Sequence, residues 1–134
     1  MLSTLEALLK PRRVVHAHCD LPCGVYDPAQ ARIEAESVKA IQEKYQGNDD
    51  PAFRARALDI KEQRAELVKH HLWVLWTDYF KPEHLEKYPQ LHELFWKATK
   101  EAGAAKKSED PAQGQKLLDA IDEIAKIFWE TKAA

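Results

Sequence analysis

Three times in this chain an aspartate stands directly before a proline and an alanine: Asp27-Pro28-Ala29-Gln30, Asp50-Pro51-Ala52 and Asp110-Pro111-Ala112-Gln113. A short carboxylate caps the free N–H groups of a first helical turn, and the fixed φ of proline suits the first helical position, where its missing N–H is no loss. Each motif therefore predicts a helix start, and Gln30 and Gln113 fall where the reciprocal arm of a capping box belongs. The apolar residues that follow recur at steps of three and four. A first helix is predicted from Pro28 to about Tyr45, with Ala31, Ala35, Val38, Ile41 and Tyr45 on one face and Gly47 just past its end. A second runs from Pro51 to about Thr77 with a stripe of Phe53, Ala57, Ile60, Leu67 and Val74, before Lys81-Pro82 breaks the chain. A third begins near Pro89, carries Leu91, Leu94, Phe95, Ala98 and Ala102, and ends between Gly103 and Lys107. The fourth runs from Pro111 to about Lys132 and shows Leu117, Leu118, Ile121, Ile124, Ala125 and Phe128. No stretch alternates at the strand period of two. Four apolar stripes joined by short turns bury one another as an all-α fold, an antiparallel up-down four-helix bundle. At 134 residues the chain has the size of a single domain.

Charge narrows the partners. Lys and Arg number 20 against 22 Asp and Glu, a net charge of −2 with no basic stripe, so nucleic acid is not an expected partner. No apolar run approaches the roughly 18 to 20 residues that span a bilayer, so no membrane is expected either. Glu6 interrupts the N-terminal leucines, and Lys10, Pro11, Arg12 and Arg13 follow Leu8 and Leu9. A secretory apolar region is missing, and a cytoplasmic location is expected. Residues 1–17 carry one acid (Glu6) and three bases (Lys10, Arg12, Arg13), net +2, so the other 117 carry −4. This leader is compositionally separate from the bundle.

From Val14 to Asp27 there is no helical period, and the chain's two cysteines sit there in His16-Ala17-His18-Cys19-Asp20-Leu21-Pro22-Cys23-Gly24. In a cytoplasmic protein a structural disulfide is disfavoured, so the spacing leaves a metal site, a reactive dithiol or inert thiols as readings. His16, His18, Cys19 and Cys23 together would form a tetrahedral zinc set, but adjacent His18 and Cys19 crowd such a site. Adjacent ligands suit a planar chelate with a backbone amide nitrogen as donor, and nitrogen with thiolate in a square plane is a preference of Ni(II) or Cu(II).

The run His18-Cys19-Asp20-Leu21-Pro22-Cys23-Gly24-Val25-Tyr26-Asp27-Pro28 resembles the nickel hook of the nickel-containing superoxide dismutases. The resemblance continues through Lys61-Glu62-Gln63-Arg64-Ala65-Glu66-Leu67, Asp78-Tyr79-Phe80-Lys81-Pro82, Glu86-Lys87-Tyr88-Pro89 and Ile127-Phe128-Trp129-Glu130-Thr131, so it covers the chain from His18 onward. It implies three parts: a cleavable leader over 1–17, a nickel hook over 18–26 and the bundle over 27–134. Cleavage by a leader-processing protease would fall between Ala17 and His18. The freed α-amine of His18, the amide nitrogen of Cys19 and the thiolates of Cys19 and Cys23 would then form the square plane around one nickel ion per subunit, with the His18 imidazole as axial ligand. The resemblance also implies a cis Pro22, a homohexamer, and alternation of Ni(III) and Ni(II) as superoxide is disproportionated to O2 and H2O2. The competing reading is a nickel or zinc binding protein without turnover that uses His16, His18, Cys19 and Cys23.

Two charges interrupt the apolar faces. Glu34 lies four residues before Val38 and seven before Ile41, and Arg64 falls within Phe53, Ala57, Ile60, Arg64, Leu67, His71 and Val74. Buried charges are paired, so Glu34 with Arg64 is one expectation; the other is that both lie at a stripe edge and reach water. The resemblance favours the pair, with Glu34 hydrogen-bonded to the axial His18 ring and Arg64 supporting it, from the same subunit or across a subunit boundary. It places Tyr26 on the route to nickel with Asp20 close by, and Tyr79 and Lys81 as further candidates for that vestibule, Lys81 supplying positive potential for an anion. His70, His71, His84 and His92 contain no Glu-x-x-His pair of the di-iron kind and are expected at interfaces or surfaces. Trp73, Trp76, Trp96 and Trp129 are expected in core or subunit contacts.

Overall fold

The computed structural model describes residues 24–134. The elements are α1 (Ala29–Gln46), α2 (Pro51–Val74), a π-helical turn (Leu75–Tyr79), α3 (Pro82–Lys87), α4 (Leu91–Lys107) and α5 (Pro111–Ala133). Asp50 and Asp110 cap α2 and α5 as expected, while Asp27 stands one residue ahead of the cap position, which Pro28 holds, and still binds the first N–H of α1. Asp27 Oδ1 accepts from the Ala29 N–H at 2.8 Å, Asp50 Oδ2 from Phe53 at 3.0 Å and Asp110 Oδ1 from Ala112 at 2.9 Å. Of the capping boxes expected at Gln30 and Gln113, neither is found among the described residues. Gln113 turns to Glu101 on α4, and the Asp110 N–H donates instead to Ser108 Oγ at 3.1 Å, which lies closer in the chain. Gln30 stays exposed.

The four long helices are antiparallel, as the register of their cross-links shows. Between α1 and α5, Arg32 meets Asp122 at 2.9 Å and Lys39 meets Gln115 at 2.9 Å, so the numbers fall on one helix as they rise on the other. Between α2 and α4, Glu66 pairs with Lys106 while Lys69 lies beside Gly103. Packing runs α1 to α2 to α4 to α5 and back to α1, which closes the expected bundle. Its centre holds Val38, Val68, Leu72, Leu91, Leu117, Ile121, Ile124 and Phe128, all fully buried. Each such side chain contributes about 1.5–3 kcal/mol through area removed from water.

Two departures from the sequence reading matter. The second helix does not run as α-helix to Thr77: after Val74 it widens into the π-helical turn, closed by the Phe80 N–H donating to the Leu75 carbonyl at 3.0 Å. Short α3 then precedes α4, which begins at Leu91 rather than at Pro89. The inward line of α2 also differs. Ala57, Lys61, Ala65, Val68 and Leu72 are buried, whereas Phe53, Ile60, Arg64, Leu67, His71 and Val74 are half-buried along its edge. Apolar residues lie all round this helix, so periodicity alone selects no single face.

At the end of the bundle away from residue 24, Lys61 is 1% exposed, and its Nζ donates to the Ser108 carbonyl at 2.7 Å and to Glu109 Oε1 at 3.2 Å. Buried Gln42 donates through Nε2 to the same carbonyl at 3.0 Å. The turn before α5 is thereby tied to α1 and α2.

Candidate metal centre

The described chain enters at Gly24, whose φ of +60° is left-handed and turns the backbone without a Cβ penalty. Two residues later Tyr26 is buried and packs its ring against Tyr79, with centroids 5.4 Å apart at 54°. Its hydroxyl donates to the Asp78 carbonyl at 3.5 Å. Tyr26 thus anchors the segment that follows Cys23 onto the π-helical turn.

Tyr79 is the hub of this end. Its ring touches Phe80 at 5.1 Å and Phe128 at 4.4 Å, its hydroxyl shares a 2.7 Å hydrogen bond with Thr131 Oγ1, and Lys132 Nζ stands 5.1 Å over the ring. Without the extra residue of the π turn, Tyr79 and Phe80 would take a different register toward Tyr26 and Phe128. Lys81 follows at the start of α3, extended as the residue before Pro82 must be.

Glu34 and Arg64 meet. Arg64 Nη1 lies 3.3 Å from Glu34 Oε1 and 3.2 Å from Oε2, with the Glu34 side chain 17% exposed and that of Arg64 39% exposed. The pair therefore forms, and it does so at the half-buried margin, so both sequence expectations hold in part. His71 lies in the same field. Burial lowers its pKa, neighbouring His70 lowers it further, and the Glu34 carboxylate acts the other way. Among the described residues this is a carboxylate held by one cation with a half-buried imidazole nearby.

His84 is half-buried on this chain and does more than sit at a surface. Its ring lies nearly parallel to Tyr79, 15° between planes and 5.8 Å between centroids, and its Nδ1 accepts the Lys81 N–H at 3.1 Å. The spacing of Lys81 and His84 across Pro82 is that of a capping box, a signal the sequence reading passed over. His70 and His92 are exposed, and His92 meets the Trp76 ring edge to face, with centroids 4.8 Å apart at 75°. Trp76 packs on the core, while Trp73, Trp96 and Trp129 are exposed on this chain taken alone.

Ala17, His18, Cys19, Asp20, Pro22 and Cys23, together with His16, lie outside the described residues. By residue type they offer two thiols, an imidazole and backbone amides, nitrogen and sulfur donors of the kind that nickel accepts. Among the described residues no group of three or more His, Cys, Asp or Glu side chains could hold a metal ion. No helix of the described chain is long and apolar enough to cross a membrane.

Comparison with known proteins converges on one family. The family model described as nickel-containing superoxide dismutase matches residues 13–132. The superoxide dismutase [Ni] of Streptomyces coelicolor is 68% identical over 130 residues, covering 97% of this chain and 99% of that protein, and the enzyme of Streptomyces seoulensis matches to the same extent. A native nickel superoxide dismutase structure superposes with a TM-score of 0.85 at 72% identity, covering 87% of this chain and 100% of its own. A second structure, with nickel ligation of the oxidised state, gives the same TM-score, identity and coverage. With a family model over residues 13–132, 68% identity over nearly the whole chain and a bundle that superposes, this chain belongs to the nickel-containing superoxide dismutases, enzymes that use nickel to disproportionate superoxide.

Proposed function

We propose that the metal is held by the first residues of a processed chain: the freed α-amine and imidazole of His18, the amide nitrogen and thiolate of Cys19, and the thiolate of Cys23. Nickel supplies a one-electron couple, which anionic thiolate and amide donors bring within reach of superoxide. The chain does the rest. Glu34, fixed by Arg64, accepts a hydrogen bond from the His18 ring and so sets its orientation and basicity. The single observation that carries this is the Arg64–Glu34 contact at 3.2 and 3.3 Å, which leaves an oriented carboxylate at the margin of the bundle. Tyr26, backed by Tyr79, walls the approach with Asp20, and Lys81 offers an anion its positive charge. A narrow entrance also limits peroxide attack on the thiolates.

Leader removal between Ala17 and His18 completes the donor set, because the nitrogen of an intact Ala17-His18 peptide is a different donor from a free amine. The chain is further read as a cytoplasmic homohexamer that depends on a processing protease. The outer face of α1 and α2 suits a second copy: Ile33 is 59% exposed, and Ile41, Phe53, Ala57 and Ile60 line an open groove beyond it.

The test compares the intact chain with one beginning at His18, each given nickel, for bound metal per subunit and superoxide consumption. One nickel per subunit with turnover only in the trimmed form is the expected result. Tight metal binding by the intact form, lost on replacing His16 and without turnover in either, would overturn it in favour of a metal-binding protein.

A further inference from the structure

A reciprocal cap at the start of a helix ordinarily uses Glu or Gln as its third residue, groups that accept a hydrogen bond throughout the neutral range. Here that place is taken by His84, and the same ring performs a second task. Its Nδ1 accepts the Lys81 N–H at 3.1 Å, while the His84 and Leu85 N–H groups return to the Lys81 carbonyl at 2.9 and 3.2 Å. Its face lies along Tyr79, and its edge meets Phe80 at 5.8 Å and 90°. Tyr79 in turn carries Tyr26, three residues beyond Cys23. One imidazole therefore joins the backbone of Lys81 to the aromatic wall beside the hook.

We propose that His84 is a positioning residue whose neutral ring holds Lys81 and Tyr79 at the entrance to the metal centre, and that a proton on Nδ1 releases them. An imidazole that accepts at Nδ1 carries its one hydrogen on Nε2, and the protonated ring would set two donors face to face. The proposal rests on the hook being the metal site. Burial disfavours the charged ring, Lys81 opposes it as well, and Glu83 favours it. From α5, Lys132 lies over the Tyr79 ring on which His84 stacks and adds another positive charge to this wall.

Two readouts on the same protein test it. In the full-length chain, the Lys81 amide and His84 imidazole resonances should titrate together at a pH below the ordinary histidine value of about 6.5, and His84→Gln should leave the Lys81 amide without that titration. In the nickel-loaded protein beginning at His18, kcat/KM for superoxide should fall about fivefold across that same titration, the population factor of one capping interaction. His84→Gln, which keeps a neutral acceptor but loses the ring that lies along Tyr79, should abolish the acid limb whatever the rate at higher pH. An acid limb that survives in His84→Gln, or a Lys81 amide that ignores the titration of His84, overturns the proposal. Absence of turnover at every pH overturns the hook reading and the link to turnover together, and the amide titration distinguishes that failure from failure of the His84 contact.

Discussion

Gly24 follows Cys23 directly, and its φ of +60° is a conformation that a residue with a Cβ adopts only at a cost. Gly24→Ala should destabilise the approach to Tyr26 by about 1–2 kcal/mol, measured as a lower melting temperature and weaker nickel loading of the trimmed chain. Glu34 is the residue proposed to orient the His18 ring. Its contact with Arg64 is half solvated, so Glu34→Gln should change stability by less than about 1 kcal/mol. Nickel affinity or kcat/KM should nevertheless fall about 10- to 100-fold, as for other groups that orient a metal ligand, and metal titration with superoxide kinetics checks both halves. Each charge was visible in the sequence as an interruption of an apolar period, but periodicity left a pair and a solvated stripe edge equally open, and it was the family resemblance that favoured the pair. His84 was not legible as a positioning residue. Its role depends on a ring from the π-helical turn lying along it, and spacing says nothing about that.

At the scale of elements, helix starts were readable and helix faces were less so. The Asp-Pro motifs mark α1, α2 and α5 because capping is a contract among neighbours in the chain. The inward line of α2 was misplaced by about one residue since Lys61, a charged residue, occupies the core-facing position. What admits it is the Ser108 carbonyl, 47 residues away in sequence. Lys61→Met retains the stem but loses the bonds made by the ammonium, and should cost about 1.5–3 kcal/mol in denaturant melts. Gly114 permits the crossing of α5 over α1: an added Cβ would lie 2.8 Å from Lys39 Cβ and 2.9 Å from its Cα. Backbone cannot yield there as a side chain can, so Gly114→Ala should destabilise by about 1–3 kcal/mol despite the better helix propensity of alanine.

For the whole molecule, stability should fall in acid. Burial lowers the folded pKa of both His71 and His84 from the ordinary value, so the unfolded chain binds more protons as pH drops through this range. Their contribution is present above the unfolded value of about 6.5 and is lost as pH falls toward the folded values, which melting temperature against pH would show. Assembly belongs to this scale too: Ile60→Glu on the groove shared by α1 and α2 should shift the protein to smaller species in sedimentation without unfolding it, since Ile60 is only half-buried. By itself the sequence determined the starts of α1, α2 and α5 and the all-α class, because capping and periodicity are properties of residues near one another in the chain. Tertiary structure alone decided that Lys61 faces inward, that the second helix widens at Leu75, and that Tyr26, Tyr79 and His84 form one wall. Each of these rests on a partner brought from a distant segment, a carbonyl at Ser108 or rings from α5 and the π turn, and packing selects among faces that local pattern leaves equal.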